Sequence, residues 1–392
     1  MEIIINLMGG LGLFLYGMNL MGDGLQKSAG AKLKRIIELL TSNVIMGVIV
    51  GALVTAIIQS SSATTVMVVG FVNAGIMTLP QAIGVIMGAN IGTTITAQIV
   101  SLDLVGMAPM ALGIGIVLYL FAKNSKTKHM AEILIGFGIL FTGMDFMKDA
   151  VKPLREFSGF TNALVSFGSQ PILGILLGFG ITAIVQSSSA SMGMLLALAS
   201  EGLIPLSSAL PILYGENIGT CVTSLISSIG ASKNARRAAT MHLVFNIIGT
   251  LVFMFLLTKP ITMLVTHLDP NDVSRQIANS HTLFTVINVI LLLPFSKLIV
   301  KLTMKLVPEG EDEVEDTKVV RFIDERMITT PSIALSNTSK ETLRMGNKAK
   351  ASLENAMNGL LEKSEAKVKY VFEEEAKINK LQKTILDYLL KL

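Results

Sequence analysis

The stretch GALVTAIIQSSSA at Gly51–Ala63 occurs a second time, as GFGITAIVQSSSA at Gly178–Ala190, and this duplication decides the fold. The same offset of 127 residues carries GANIGT at Gly88–Thr93 onto GENIGT at Gly215–Thr220. Over the 52 aligned positions that contain these motifs, 20 residues are identical without a gap. Two halves of the chain therefore repeat one structural unit.

The composition around these motifs is that of a membrane protein with a soluble tail. Apolar residues make up 51% of the 392 residues and charged residues only 15%, against about 25% in soluble domains. Half of the charged residues lie in the last 84 residues. The single cysteine, Cys221, excludes a disulfide scaffold. Basic residues between apolar segments are typical of topology signals and argue against nucleic-acid binding.

Seven apolar segments are long enough to cross about 30 Å of bilayer as helices. They are residues 3–22, 81–101, 104–122, 129–147, 206–229, 237–258 and 279–302. The sequence around each QSSS differs from these seven segments, because its polar residues separate two apolar arms. Each arm is too short to span the bilayer comfortably. The arms are Val44–Ile58 and Ala63–Ala74, and then Ile172–Val185 and Ala190–Ala199. We predict a re-entrant helical hairpin at each QSSS, since non-helical backbone at membrane depth needs protein or a cavity around it.

The number of spans between the two hairpins determines how the repeats are related. Three spans separate the start of repeat 1 from the start of repeat 2, and this odd number gives the repeats opposite orientations. Inverted repeats whose interrupted helices meet near the midplane are typical of secondary transporters. The predicted fold class is an all-α integral membrane protein with two inverted repeats, two re-entrant hairpins and about seven spans. We place repeat 1 at residues 1–122, repeat 2 with additional spans at 129–305, an acidic linker at 306–335 and a cytoplasmic helical tail at 336–392.

Loop charges predict the orientation in the membrane. Ten basic loop residues lie on one side and five on the other, which makes the first side cytoplasmic by the positive-inside rule. The N-terminus is then outside and the tail inside. Between span 1 and the first hairpin, Leu25–Leu40 has one apolar helical face, so it is predicted as a helix in the membrane interface or as an ordinary connector.

The polar residues of the two motifs suit bound ions. Each hairpin tip offers one glutamine amide and three serine hydroxyls, beside the last carbonyls of one half-helix and the first amides of the next. Carbonyl and hydroxyl oxygens suit a dehydrated Na⁺, and helix N-terminal amides suit an anion. The alternative is that these side chains only pack the helices together. Packing explains an isolated serine better than it explains two duplicated motifs at one fixed offset.

The doubled QSSS with the doubled G-x-NIGT resembles the type II sodium–phosphate cotransporter family in its bacterial form, over residues 1 to about 305. The resemblance implies that the hairpins and the segments after them form the substrate and Na⁺ sites, and that the unit holding the substrate moves in an elevator-like manner. From the residues alone, elevator and rocking movements both remain open. We assign phosphate to Ser61, Ser62, Ser188, Ser189, Asn90, Thr93, Asn217 and Thr220. We assign the co-transported Na⁺ to Gln59, Ser60, Thr55, Gln186, Ser187, Thr182 and Glu216.

Glu216 departs from the family pattern, which more often has a small neutral residue there, as repeat 1 has at Ala89. A carboxylate inside the membrane is a functional hypothesis, namely that Glu216 binds a cation or carries a proton. The alternative is a structural glutamate that is protonated or paired with an arginine. His242 and His281 are expected to pack or to form hydrogen bonds near the interface. No nucleophile–base pair or metal-ligand spacing is discernible, so we expect neither an enzyme nor an organic cofactor.

The tail has a helical pattern of its own. The run TPSIALSNTSKETLRMGNKA at Thr330–Ala349 resembles the start of a PhoU-like domain, and a break near Lys363–Ser364 predicts a helical hairpin. Two helices are fewer than the three of that bundle, so the tail is expected to be either truncated or completed by a helical partner. The alternative is a coiled-coil dimerisation tail. A homodimer is an expectation from analogous architectures.

These features predict Na⁺-driven uptake of inorganic phosphate across the inner membrane of a bacterium, by alternating access around a midplane site between two QSSS tips. One alternative is a Na⁺-coupled carrier of another oxyanion or of a dicarboxylate. A second alternative, from another class, is a membrane phosphate sensor that signals through its tail without transporting.

Overall fold

The computed structural model describes residues 2–38, 43–102, 104–308, 320, 322–328 and 331–392, and the regular structure in these ranges is entirely helical. Short 3₁₀ turns and one π-helical stretch, Phe253–Leu257, link some of the helices. The sixteen α-helices are α1 (Glu2–Glu38), α2 (Val44–Ile58), α3 (Ser61–Asn73), α4 (Leu79–Val100), α5 (Ala108–Phe121), α6 (Ser125–Val151), α7 (Ser158–Ser169), α8 (Pro171–Val185), α9 (Ser188–Ser200), α10 (Leu206–Ser227), α11 (Lys233–Val252), α12 (Thr258–Leu268), α13 (Val273–Leu292), α14 (Ser296–Leu306), α15 (Pro331–Leu361) and α16 (Glu365–Leu389).

Six helical stretches in the described part of the chain are long and apolar enough to cross a membrane. They are Glu2–Ala29, Leu79–Val100, Leu104–Phe121, Ser125–Glu156, Lys233–Leu268 and Val273–Leu306. Each contains most of one predicted span. The seventh predicted span, 206–229, corresponds to α10, which is 22 residues long, the same length as α4. Polar residues at the centre of α10, including Glu216 and Asn217, make it less apolar than the other six.

Helix α1 is longer than the predicted first span. It continues without a break to Glu38, so the described part of Leu25–Leu40, which was predicted as an interfacial helix or an ordinary connector, belongs to the same helix as span 1. Residues 39–42 lie outside the described ranges. At 1.5 Å per residue the 37 residues of α1 extend about 55 Å, well beyond the hydrocarbon thickness of a bilayer.

Both QSSS motifs interrupt a helix, as predicted. The two short apolar helices α2 and α3 meet at Gln59–Ser60, and α8 and α9 meet at Gln186–Ser187. All four helices have 13 to 15 residues, which is too short to span a bilayer alone.

Helices α1 and α6 cross in an antiparallel contact that relates the two halves of the chain. Gly10 lies against Gly143 and Gly17 lies against Gly136, and a Cβ atom on Gly17 or Gly143 would come within 2.3 Å of a backbone nitrogen on the other helix. Upstream of the motifs the two halves align at an offset of 126 residues, as LYGM at Leu15–Met18 and FTGM at Phe141–Met144 show, and this offset converts Gly10 into Gly136 and Gly17 into Gly143. Each contact is therefore the repeat image of the other, which is the signature of a two-fold axis between antiparallel units.

Close backbone contacts also hold each hairpin against the helix that follows it. In repeat 1, α2 packs on α4, and a Cβ on Gly51 would lie 2.2 Å from the Val85 carbonyl oxygen. In repeat 2, α8 packs on α10, and a Cβ on Gly178 would lie 2.0 Å from the Ile212 carbonyl oxygen. The glycines let α4 and α10 reach the hairpin tips with the NIGT motifs facing inward.

The tail forms the predicted helical hairpin and contacts the membrane part. Helices α15 and α16 pack on each other and are separated at Lys363, whose backbone is left-handed with φ of 50°. The methyl group of Met327, in a 3₁₀ turn before α15, sits against Gly70 of α3. Nearby, Asn73 Nδ2 donates a hydrogen bond of 2.9 Å to Asp324 Oδ2. The acidic residues 309–316 of the predicted linker lie outside the described ranges.

Candidate functional site

The two helix breaks have the same backbone geometry. Gln59 and Gln186 are left-handed, with φ of 59° and 57°, and are two of the three non-glycine residues with positive φ in the described chain. Ser60 and Ser187 then cap the next helices, because their hydroxyl oxygens accept hydrogen bonds from the backbone amides three residues later. Such strained glutamine conformations are found where the surrounding structure over-determines them, often at ligand sites.

Hydrogen bonds from α4 and α10 fix the two glutamine side chains. Thr96 Oγ1 donates to Gln59 Oε1 at 2.9 Å, and Thr223 Oγ1 donates to Gln186 Oε1 at 2.9 Å. These two bonds are related by the 127-residue offset. A second duplicated pair lies behind the tips, where Thr55 Oγ1 donates to Thr64 Oγ1 and Thr182 Oγ1 donates to Ser191 Oγ, both at 2.9 Å.

A small polar cavity, which we call the inner cavity, lies between the tips and helices α4, α10 and α13. It has about 10 Å³ of space for the centre of a water molecule, which is the room that one water needs. Its polar lining comes from both repeats and from α13: Ser61, Asn90, Thr93, Thr96, Ser188, Ser189, Glu216, Asn217, Thr220 and His281.

A larger polar space, the vestibule, adjoins the tips on the side of α1. Its volume is about 460 Å³, and both QSSS motifs line it together with Asn19, Asp23 and Gln26 of α1. Ser61, Ser188 and Ser189 line the vestibule and the inner cavity alike, so the serines separate the two spaces.

The structure brings together most of the residues predicted to bind ions. Seven of the eight predicted phosphate ligands line the inner cavity, and Ser62 lines the vestibule. Of the predicted Na⁺ ligands, Glu216 lines the inner cavity, whereas Gln59, Ser60, Gln186 and Ser187 line the vestibule. Thr55 and Thr182 are buried behind the tips, where their hydroxyls bond Thr64 and Ser191.

Three polar residues of the site were missed in the sequence. Thr96 and Thr223 are identical at the repeat offset, so a comparison of the two halves at every polar position could have found them. His281 was expected to pack or to form hydrogen bonds near the interface, but the structure places it on the wall of the inner cavity. No repeat marks His281, because α13 follows both repeats.

Glu216 lies deep in the site without a compensating charge among the described residues. Its side chain is 3% exposed, and its Oε2 atom has no hydrogen-bond partner there. Within the described residues, Glu216 is therefore not paired with an arginine, which was one of the two structural alternatives. His281 is 5% exposed, and its Nδ1 atom likewise has no partner among the described residues.

The two tips differ in their surroundings despite their equal geometry. Gln59 is buried, whereas its counterpart Gln186 is exposed. Similarly, Ala63 lines the vestibule, whereas its counterpart Ala190 is fully buried. The structure is therefore one asymmetric arrangement of two equivalent units.

Comparison with known proteins places this site in a family. The family model described as Na⁺/Pi-cotransporter matches residues 13–149 and 155–268, and the PhoU domain model matches residues 342–392. The chain belongs to the Na⁺/Pi-cotransporter family and carries a PhoU domain match in its tail, as the doubled motifs and the tail sequence predicted. A family of transporters also bears out the prediction that the chain is not an enzyme.

Individual relatives extend over different parts of the chain. A Bacillus subtilis protein, "Uncharacterized protein YqeW", is 31% identical over 75% of this chain and 95% of its own length. The Escherichia coli K12 protein named "Putative inorganic phosphate export protein YjbB" is 26% identical over 91% of this chain, which spans 64% of that relative's length. The "Sodium-dependent phosphate transport protein 2A" of Rattus norvegicus is 41% identical over 92 residues, which cover 22% of this chain and 14% of that relative's length. No solved structure matches the chain.

Proposed function

We propose that the chain is a secondary active transporter that couples inward Na⁺ movement to uptake of inorganic phosphate across the bacterial inner membrane. The observation that carries this proposal is the meeting of two repeat-related helix breaks at one vestibule. Interrupted helices that expose backbone amides and carbonyls at a shared site are how transporters bind an anion together with cations. The names of the relatives YjbB and transport protein 2A add phosphate as the anion.

The phosphate is bound at the vestibule face of the tips. Helices α3 and α9 begin there, so their positive N-terminal ends point at the vestibule. Ser61, Ser188 and Ser189 have hydroxyls that can turn to donate to the anion. Gln59 and Gln186 shape the tips, because their threonine partners on α4 and α10 hold them in place.

The arrangement supports an alternating-access cycle in which the vestibule is open on the cytoplasmic side. Asp23 and Gln26 line it near Lys27, on the side that the loop charges assign to the cytoplasm. Toward the other end of the site, Arg275 Nη1 donates to Gln98 Oε1 at 3.2 Å and to Ser101 Oγ at 3.1 Å, which joins α13 to α4. We propose that this polar contact closes the outer path and that the hairpin unit moves in an elevator-like manner to open it.

The proposal also includes a binding partner for the cytoplasmic tail. Four apolar residues of α15 are 60–80% exposed, which supports a helical partner for the tail or a homodimer through it: Leu353, Met357, Leu360 and Leu361.

Uptake of ³²P-phosphate into proteoliposomes tests the proposed function. An inward Na⁺ gradient should drive accumulation that a matched K⁺ gradient does not. Gln186→Ala should abolish it, because the variant removes the side chain that Thr223 orients. The matched control Gln382→Ala, on an exposed tail position, should transport normally.

Three other results would redirect the proposal. Phosphate binding without uptake would indicate a sensor. Uptake of sulfate or a dicarboxylate in place of phosphate would indicate another carrier. Na⁺-independent release of phosphate from loaded vesicles would favour export, as the name of YjbB states for that relative.

A further inference from the structure

We infer that the inner cavity is a cation site built around Glu216, separate from the anion site at the vestibule face of the tips. This inference rests on the proposed function and refines it, because it moves four predicted phosphate ligands to the cation. The four are Asn90, Thr93, Asn217 and Thr220.

The size of the inner cavity favours a cation over phosphate. About 10 Å³ of space for a water centre admits one water molecule or one ion of similar size. A dehydrated Na⁺ is smaller than a water molecule, whereas a phosphate ion is several times larger. The vestibule, at about 460 Å³, is where the described conformation has room for the anion.

The hydrogen bonds of the lining also favour a cation. Asn90 Nδ2 donates to the Ile86 carbonyl at 3.2 Å, and Asn217 Nδ2 donates to the Leu213 carbonyl at 2.9 Å. Thr220 Oγ1 donates to the backbone carbonyl of Glu216 at 2.9 Å. With one donor of each amide directed at its own helix, the amide and hydroxyl oxygens remain as acceptors for an ion. Phosphate would also be repelled by the carboxylate of Glu216 beside these oxygens, so this lining suits a cation better than an anion.

Glu216 supplies the negative charge that such a site needs. A carboxylate that is 3% exposed and has an oxygen without a partner among the described residues is costly unless a cation or a proton accompanies it. The repeat-related position is Ala89, which is fully buried and neutral. The cavity therefore has one anionic side, on α10, and the carboxylate, the two asparagine oxygens, Thr93 and Thr220 together surround the ion.

The test is the Na⁺ dependence of thermal unfolding of the purified full-length chain in detergent, without phosphate. NaCl is exchanged for choline chloride at constant ionic strength, and KCl is the ion control. A ligand that binds only the folded state raises the unfolding midpoint, so Na⁺ should stabilise the wild type and K⁺ should not. Glu216→Gln should require at least about tenfold more Na⁺ for the same shift, because it removes a charged ligand.

Glu201→Gln is the matched control. Glu201 is also largely buried, but it pairs with Arg155 at 3.1 Å and does not line the cavity, so its variant should keep the wild-type Na⁺ response. Asn217→Ala provides a second variant should Glu216→Gln not fold, and it should raise the Na⁺ requirement several-fold. At saturating Na⁺, binding of ³²P-phosphate should be unchanged in both cavity variants.

The inference is overturned if Na⁺ does not stabilise the wild type, or if both cavity variants keep the wild-type Na⁺ response. It is also overturned if these variants weaken phosphate binding at saturating Na⁺, since the cavity would then hold the anion. Failure of the proposed function looks different. In that case Na⁺ stabilises the protein and Glu216→Gln removes the effect, but no gradient of Na⁺ moves phosphate into proteoliposomes.

Discussion

Two glutamine side chains, each held by a threonine hydroxyl from the following helix, set the shape of the site at the scale of single residues. The bonds Thr96–Gln59 and Thr223–Gln186 cross from one helix to another, so they join each tip to the helix that carries the NIGT motif. Because both glutamines are left-handed, their backbones depend on these bonds and on the serine caps to stay in place.

Removing one hydroxyl should loosen the corresponding tip. Thr96→Val keeps the size of the side chain but removes its bond to Gln59, at a cost of about 0.5–1.5 kcal/mol. We expect the Na⁺ concentration for half-maximal phosphate uptake to rise about 2- to 10-fold. Thr94→Val is the control, because the one bond of Thr94 Oγ1 within the described ranges goes to the Ile91 carbonyl of its own helix. Equal effects of the two variants would show that the bond to Gln59 has no special role.

The polar residues of the site could be predicted as far as the repeat reaches. The duplicated QSSS and NIGT motifs identified the tips and the inward faces of α4 and α10. They could be recognised because the same polar motifs occur in both repeats within otherwise apolar sequence. His281 could not be found in this way, since its place on the cavity wall depends on how α13 packs across both repeats. The size of the inner cavity likewise follows from packing, and no single stretch of sequence encodes it.

At the scale of helices, glycines determine how closely each hairpin approaches its neighbour. Gly51 and Gly178 lie at repeat-related positions, and each faces a backbone carbonyl on the next helix. The first helix of each hairpin, α2 or α8, buries few large side chains of its own, so this backbone contact positions the tip. The arms of the hairpins were predicted from their length, whereas the glycine contacts needed the structure.

A methyl group at either glycine should separate the hairpin from its support. Gly178→Ala places a Cβ 2.0 Å from the Ile212 carbonyl oxygen, so α8 must shift away from α10. We expect a destabilisation of about 1–3 kcal/mol, seen as a lower unfolding midpoint in detergent, and reduced transport. Gly12→Ala, at a position with open space around it, should leave the midpoint unchanged or raise it slightly. A stable and active Gly178→Ala protein would contradict the close contact.

At the scale of the whole molecule, the tail is joined to the hairpin that forms one side of the site. Met327 is 1% exposed against Gly70 of α3, and Asp324 bonds Asn73 on the same helix. Tyr388 of α16 donates to the Asp324 carbonyl at 2.9 Å, and burial raises the pKa of Tyr388 to about 12, so its hydroxyl remains a donor at neutral pH. The tail therefore contacts the far end of the helix that begins at the first QSSS.

Truncating Met327 should weaken this contact. Met327→Ala removes a buried side chain and should cost about 2–5 kcal/mol of docking energy. We expect faster amide hydrogen exchange in residues 322–341, measured by mass spectrometry, with little change in α10. Met357→Ala, at a tail methionine that is 60% exposed, should leave the exchange of that segment as in the wild type. Unchanged exchange in Met327→Ala would show that the tail is held by other contacts.

The unequal burial of the two tips predicts a second conformation of the same molecule. If the halves exchange their roles, each residue takes the surroundings of its repeat counterpart, so Ala190 becomes accessible from the vestibule as the half-buried Ala63 is now. In a Cys221→Ser background, Ala63→Cys should react with a membrane-impermeant thiol reagent from the cytoplasmic side, and Ala190→Cys from the outside. Labelling of both cysteines from one side would rule out this exchange. One conformation of this chain is therefore enough to predict the opposite one, because the two copies of a single structural unit have unequal surroundings.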